Sequence, residues 1–143
     1  MGKKRIVKKG GEAGESAPAK TAGKLSRREL AIGTVHIHAT YNNTKVLLSD
    51  TKGNTVAWSS SGSLGFKGAK KGTPFAAAKV GELIGEKAAE LGMKEANAVV
   101  KGVGSGRESA LRSFSGKGIQ ITAIKDTTPI PFNGPRPPKP RRV

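Results

Sequence analysis

No cysteine occurs in this sequence, which excludes a disulfide framework, a thiolate zinc site and a cysteine nucleophile. That composition suits a reducing, cytosolic compartment. Aromatic residues are scarce at 4%, and the apolar fraction is only 35%. Such a chain has a modest core and segments that must pack against something else. The apolar runs are short, such as "AVV" at 98–100. They fall well below the roughly 20 residues of a membrane-spanning helix. The basic start has no apolar stretch behind it, so no secretory signal is expected. Acidic residues are also few, 10 against 26 Lys and Arg, for a net charge of +16.

The excess is spread along the chain. Residues 1–33 carry +6, residues 34–125 carry +7 and residues 126–143 carry +3. A polyanionic partner follows from that distribution. A membrane surface would call for a basic amphipathic helix with bulky apolar residues opposite. The basic segments are instead rich in glycine and proline, which favours nucleic acid.

Three regions follow. Residues 1–32 lack a sustained apolar period and read as a flexible basic extension. Residues 33–126 read as one α/β domain. In "TVHIHAT", Val35, Ile37 and Ala39 alternate with His36, His38 and Thr40, which predicts a half-buried strand. "TKVLLSDT" and "TVAWS" predict two more strands joined by the turns "YNNT" and "KGN". Thr73 then reads as an N-cap with Pro74 at the first helical position. The helix from there to Leu91 is expected to bury Val80, Leu83, Ile84, Ala88 and Leu91, with Gly92 ending it. Gly81 and Gly85 leave a flat spot for a close neighbour, and Glu90 and Lys94 read as an i,i+4 pair. "NAVVKGV" predicts a buried strand and "GSGRESALRSFSG" a glycine loop entering a short helix. "GIQITAI" predicts the last strand, with Ile119, Ile121 and Ala123 on one face. The order βββαβαβ points to one mixed sheet with helices packed on it. Residues 127–143 form a Pro/Arg-rich tail, stiff and without a core of its own.

The glycine-rich stretches carry the chemistry. "GVGSGRES" (102–109) sits between a strand and a helix. Gly102 and Gly104 match a dinucleotide fingerprint, but Arg107 stands where its third glycine belongs. The remaining readings are a tight structural turn and a backbone nest around Gly104, Gly106 and Arg107 that grips a polynucleotide phosphate. "GFKGAKKGT" (65–73) alternates glycine with Lys67, Lys70 and Lys71. Phe66 either stacks on an unpaired base or tucks into the core. His36 and His38 share one strand face, but two ligands do not make a metal site. Asp50, Asp126 and the Glu82, Glu86, Glu90 stripe converge on no catalytic site. No cofactor, metal or enzymatic activity is expected. In the tail, Arg136, Lys139, Arg141 and Arg142 lie among prolines. Asn133 precedes Gly134, a pair that can cyclise to a succinimide and open to isoaspartate, or simply form a turn.

Several strings taken together resemble one family. "VHIHATYNNT", "GFKGAKKGTPFAA", "VKGVGSGRES" and "DTTPIPFNGPRPPKPRRV" are similar to the bacterial form of small-subunit ribosomal protein eleven. The resemblance implies a three-layer α/β/α, ribonuclease H-like domain with sheet order 3-2-1-4-5 and no nuclease activity. It implies a cytoplasmic, ribosome-bound structural protein on the platform of the small subunit. There it would bridge several helices of 16S-type rRNA and line the mRNA cleft used for Shine-Dalgarno pairing. Its implied neighbours are small-subunit ribosomal proteins seven and eighteen, with initiation factor three a further contact. The RNA-binding candidates are Lys67, Lys70, Lys71, Gly104, Gly106, Arg107, Arg136, Lys139, Arg141 and Arg142. Another basic nucleic-acid-binding protein, such as a DNA-compacting one, remains an alternative, and a nucleotide-binding enzyme a weaker one.

Overall fold

The structure is a computed structural model and describes residues 30–136, 138 and 139. The readings made for residues 1–29, Arg141 and Arg142 lie outside the described residues. Five strands and two helices follow in the expected order. They are β1 (Ile32–Ala39), β2 (Thr44–Ser49), β3 (Thr55–Ser60), α1 (Pro74–Glu90), β4 (Glu95–Lys101), α2 (Gly106–Ser115) and β5 (Gln120–Asp126). A short 3-10 turn at Gly68–Gly72 precedes α1.

Local chemistry explains the first three strands. Thr40 closes the β1–β2 turn, its hydroxyl accepting from the Asn43 amide at 3.1 Å and donating to the Asn43 carbonyl at 3.0 Å. Asp50 closes the next turn, one carboxylate oxygen accepting from the amides of Lys52 and Asn54 at 2.8 and 2.9 Å. These are the local bonds that make Asp and Thr turn residues. The meander therefore folds on itself: β1 pairs antiparallel with β2, and β2 with β3. β4 then adds in parallel to β1, and β5 in parallel to β4. The sheet order is β3-β2-β1-β4-β5, as the resemblance implied.

Both crossovers progress in the same direction across the sheet, and right-handed connections then place both helices on one face. The helices pack directly on each other. A Cβ on Gly81 would collide with the Ala110 carbonyl, and one on Gly85 would sit 3.2 Å from the Phe114 carbonyl. The flat spot expected at Gly81 and Gly85 is the α1–α2 contact. Beneath it, Val35, Ile37, Val46, Leu48, Ala96 and Ala98 meet Val80, Ile84, Ala110 and Phe114 in one buried cluster. The described residues thus build an α/β domain with two of the three implied layers, and the opposite sheet face carries no helix.

Some expected core positions differ. Leu83 and Leu91 are only half-buried, while Ala76 and Ala77 are fully buried. α1 points its first turn straight into the core, so small residues fit where the helix comes closest. Ala123 is exposed, because a register shift at Ala96/Asn97 moves β5 out of strict alternation. Glu90 and Lys94 are not a helical pair, since α1 ends at Glu90 and the Lys94 amide bonds to the Ala31 carbonyl. Glu82 and Glu86 pair instead with Lys79 and Lys117, both at 2.9 Å. Gly92 follows the C-cap Leu91 in the left-handed conformation, φ 78°.

Candidate nucleic-acid interface

Helices that follow parallel strands start beyond the strands' C-terminal ends. The first turns of α1 and α2 therefore meet at one end of the sheet. Gly106 opens α2, and a Cβ there would lie 2.5 Å from Thr44 Oγ1 and 2.6 Å from Ala77 Cβ in the first turn of α1. Two positive helix ends are brought side by side.

The basic loop before α1 is tied down at this end. Ser61 is fully buried. Its hydroxyl lies 2.6 Å from Asn43 Oδ1 and 2.7 Å from the Lys71 carbonyl, and it accepts from the Thr44 amide at 3.1 Å. Gly72 passes so close to the Tyr41 carbonyl that any Cβ would collide with it. Thr73 caps α1, accepting from the Ala76 amide at 3.3 Å, with Pro74 next as expected. On this anchored backbone Lys67 and Lys70 are exposed and Lys71 half-buried. Among the described residues none of the three makes an ion pair. Phe66 follows neither sequence reading in full. It is half-buried, edge-on to Phe75 with centroids 6.1 Å apart.

The second glycine loop docks onto the first. Ser105 does not cap its own helix; its hydroxyl donates to the Gly72 carbonyl at 3.0 Å. The Gly104 amide bonds to the Ala39 carbonyl at 2.9 Å, and a Cβ on Gly104 would collide with the Thr40 carbonyl. Gly104 and Gly106 are both buried, so close packing accounts for both glycines. Arg107 is held inward. One guanidinium nitrogen donates to the Gly102 carbonyl at 2.7 Å, and another pairs with Asp126. Asp126 also accepts from the Thr128 hydroxyl at 2.6 Å and the Thr128 amide at 2.9 Å. The Thr128 bonds first, then Arg107, hold the Asp126 carboxyl well below its ordinary 3.8, at about 2. The Thr128 hydroxyl in turn accepts from the Gly102 amide at 3.1 Å. This clasp was missed from sequence. Its local half, an Asp bonding its own backbone two residues on, is legible in "DTT".

The tail leaves from this clasp, with the Thr127 amide bonded to the Val100 carbonyl at 2.9 Å. Beyond it, Ile130 and Phe132 are 78% and 97% exposed, so the described tail packs on little of its own domain. Arg136 and Lys139 are exposed. Asn133 adopts φ 53°, and Arg136 donates to its side-chain oxygen at 3.4 Å. On the other side of the domain His36 bonds to the Ser49 hydroxyl at 3.1 Å. Among the described residues no group of three His, Cys, Asp or Glu could hold a metal ion. Nor is any described helix long and apolar enough to cross a membrane.

The structure thus gathers Lys67, Lys70, Lys71, the 102–107 loop and the root of the tail at one end of the sheet. It does so with backbone knots rather than with an enclosed reactive pocket. Residues 33–142 match the family described as ribosomal protein S11, a stretch that contains every one of these elements. A basic chain whose glycine loops, helix ends and tail fall inside that match belongs to the ribosomal protein S11 family, structural rRNA-binding proteins of the small ribosomal subunit.

Proposed function

We propose that this chain is the bacterial-type member of its family and sits, in the cytoplasm, on the platform of the small subunit. There it bridges several helices of 16S-type rRNA and lines the cleft where mRNA pairs upstream of the start codon. Small-subunit proteins seven and eighteen are its neighbours, and initiation factor three a transient contact. One observation carries this reading: the lysine loop, two helix N-termini and the proline tail leave the domain at the same end. A body with its charge focused at one end suits a junction where RNA helices converge.

The roles divide by position. Lys67, Lys70 and Lys71 meet phosphates from an anchored loop. Gly104 and Gly106 act through packing: both are buried, and their close contacts seat the start of α2 at the end of the domain that meets the RNA. Arg107 spends two of its five donors on the loop and Asp126 and has others for a phosphate. Arg136 and Lys139, with Arg141 and Arg142 beyond the described residues, line an extended tail that loses little entropy on docking. Sedimentation of tagged protein through a low-salt sucrose gradient tests the reading. Co-migration with small subunits is expected; migration with bulk DNA or as free protein would overturn it. Reversing Lys67, Lys70 and Lys71 to Glu should shift the protein to the top of the gradient.

A further inference from the structure

The helix-free face of the sheet has no part in the interface above, yet it is built in rows. Across the strands Trp58 pairs with Leu47, Leu47 with His36, His36 with Val99, and Val99 with Lys125. The next row runs Ser60, Lys45, His38 and Lys101. Adjacent strands lie about 4.8 Å apart, so the first row spans roughly 19 Å. Trp58 is 62% exposed on this face, with Val56 two residues before it also exposed. It is the only tryptophan in a chain with few aromatics. Leaving its indole open wastes the largest apolar surface a side chain offers, unless something covers it.

The charges on the face say what kind of partner that is. Lys45, Lys101 and Lys125 point the same way as Trp58, and among the described strand residues the carboxylate on this face is Glu95 at the start of β4. The cationic row lies beside the aromatic one. At the end nearest the tail, the face runs into a cleft of about 320 Å³ lined by His38, Tyr41, Lys101, Val103 and Thr128. Tyr41 there is 78% exposed. A second ring, beside Lys101, thus continues the path toward the basic tail.

We infer that this face receives an unpaired RNA strand, one base stacking on the Trp58 indole while its phosphates meet Lys45 and Lys101. The inference rests on the reading that the partner is ribosomal RNA. A flat sheet with an open ring suits a base, because every base has a stacking face and needs no shaped pocket. The strand must be unpaired, since a duplex buries its ring faces and presents only grooves and phosphates. A protein partner would cover the indole equally well, but Lys45 and Lys101 in one row with Lys125 in the next favour a polyanion.

The sole tryptophan makes the test direct. The full chain is titrated with an unstructured oligoadenylate, about ten nucleotides long, following tryptophan emission and the anisotropy of labelled RNA. Stacking is expected to quench the emission in a saturable way. Trp58→Ala should weaken binding about tenfold, Trp58→Phe should retain most of it, and Lys45→Glu with Lys101→Glu should weaken it further. Trp58 is exposed, so these variants should fold, and unchanged far-ultraviolet circular dichroism checks that. If the RNA binds but emission stays constant and Trp58→Ala binds like wild type, the face is not used and the inference falls, while the rRNA reading stands. If emission responds to purified small-subunit proteins and not to RNA, the face is a protein interface and the inference is overturned. If neither the oligonucleotide nor 16S-type rRNA binds, the rRNA reading itself has failed, and this inference with it.

Discussion

Asp126 is the residue on which the tail turns. It joins the Arg107 side chain to Thr128, whose hydroxyl holds the Gly102 amide. The Thr128 bonds, then Arg107, hold its carboxyl below the ordinary 3.8, at about 2. A lowered native pKa stabilises the fold at pH above the unfolded value and loses that contribution as pH falls through the native one. The clasp should therefore be intact above about pH 4 and loosen toward pH 2. Carboxyl carbon shifts of Asp126 should titrate near 2 by NMR, and in Asp126→Asn the amides of Gly102 and Thr128 should exchange faster at neutral pH. Gly81 carries a different constraint. An added methyl meets the Ala110 carbonyl, so Gly81→Ala should cost about 1–3 kcal/mol in urea unfolding through forced separation of the helices. Asn133 is the third residue with a definite expectation. It precedes Gly134, already sits at φ 53°, and its side-chain oxygen is turned toward Arg136. Nucleophilic attack by the Gly134 nitrogen on the Asn133 side-chain carbonyl expels ammonia and forms a succinimide, which water then opens mostly to isoaspartate in free protein. Tryptic peptides assayed with an isoaspartate-specific methyltransferase would show it; Asn133 unmodified in aged free protein would rule it out.

At the scale of elements, α1 depends on how it begins. Thr73 accepts from Ala76, and the same short segment leads from the lysine turn into the helix. Thr73→Ala should cost about 1 kcal/mol by loss of the cap. It should also blur the position of Lys70 and Lys71, since the Thr73 hydroxyl donates to the Lys70 carbonyl at 2.7 Å. Weaker RNA binding than the lost stability explains is the expected result, measured by filter retention at a temperature where the variant is fully folded. α2 gains its place by packing rather than capping. Phe114 is fully buried between the helices and the sheet, so Phe114→Ala should cost about 3–5 kcal/mol and uncouple α2 before the meander melts.

For the whole molecule, charge and shape act together. A net +16 spread evenly would bind any polyanion weakly. Gathering the lysine loop, the helix ends and the root of the tail at one end concentrates part of that charge. If seven to ten phosphates are met, log K against log salt should fall with a slope of roughly 0.7–0.9 per contact. Titration of a platform rRNA fragment between low and moderate salt measures it. A slope near zero would contradict the electrostatic account. Removing residues 127–143 should lower the slope by about the number of basic residues lost from contact.

Much of this was legible without coordinates, because it is local physics. Period-two alternation from Val35 to Ala39 defines a one-sided strand whatever lies beyond it. Thr73 and Pro74 define a helix start through their own backbone chemistry. Gly81 and Gly85 announce a close neighbour one turn apart, and the excess of lysine and arginine names a polyanion. Tertiary structure decided what depends on residues distant in sequence. The partner of Arg107 lies nineteen positions away at Asp126 and depends on the β4–β5 register. The shift at Ala96/Asn97 turned Ala123 outward, which no alternation in "QITAI" reveals. The anchoring of Lys71 by Ser61 and Asn43 exists only once β2 has paired with β3. Among the described residues, which face stays free of helices follows from the hand of two crossovers, so the exposure of Trp58 is a property of the fold and not of its neighbours in the chain.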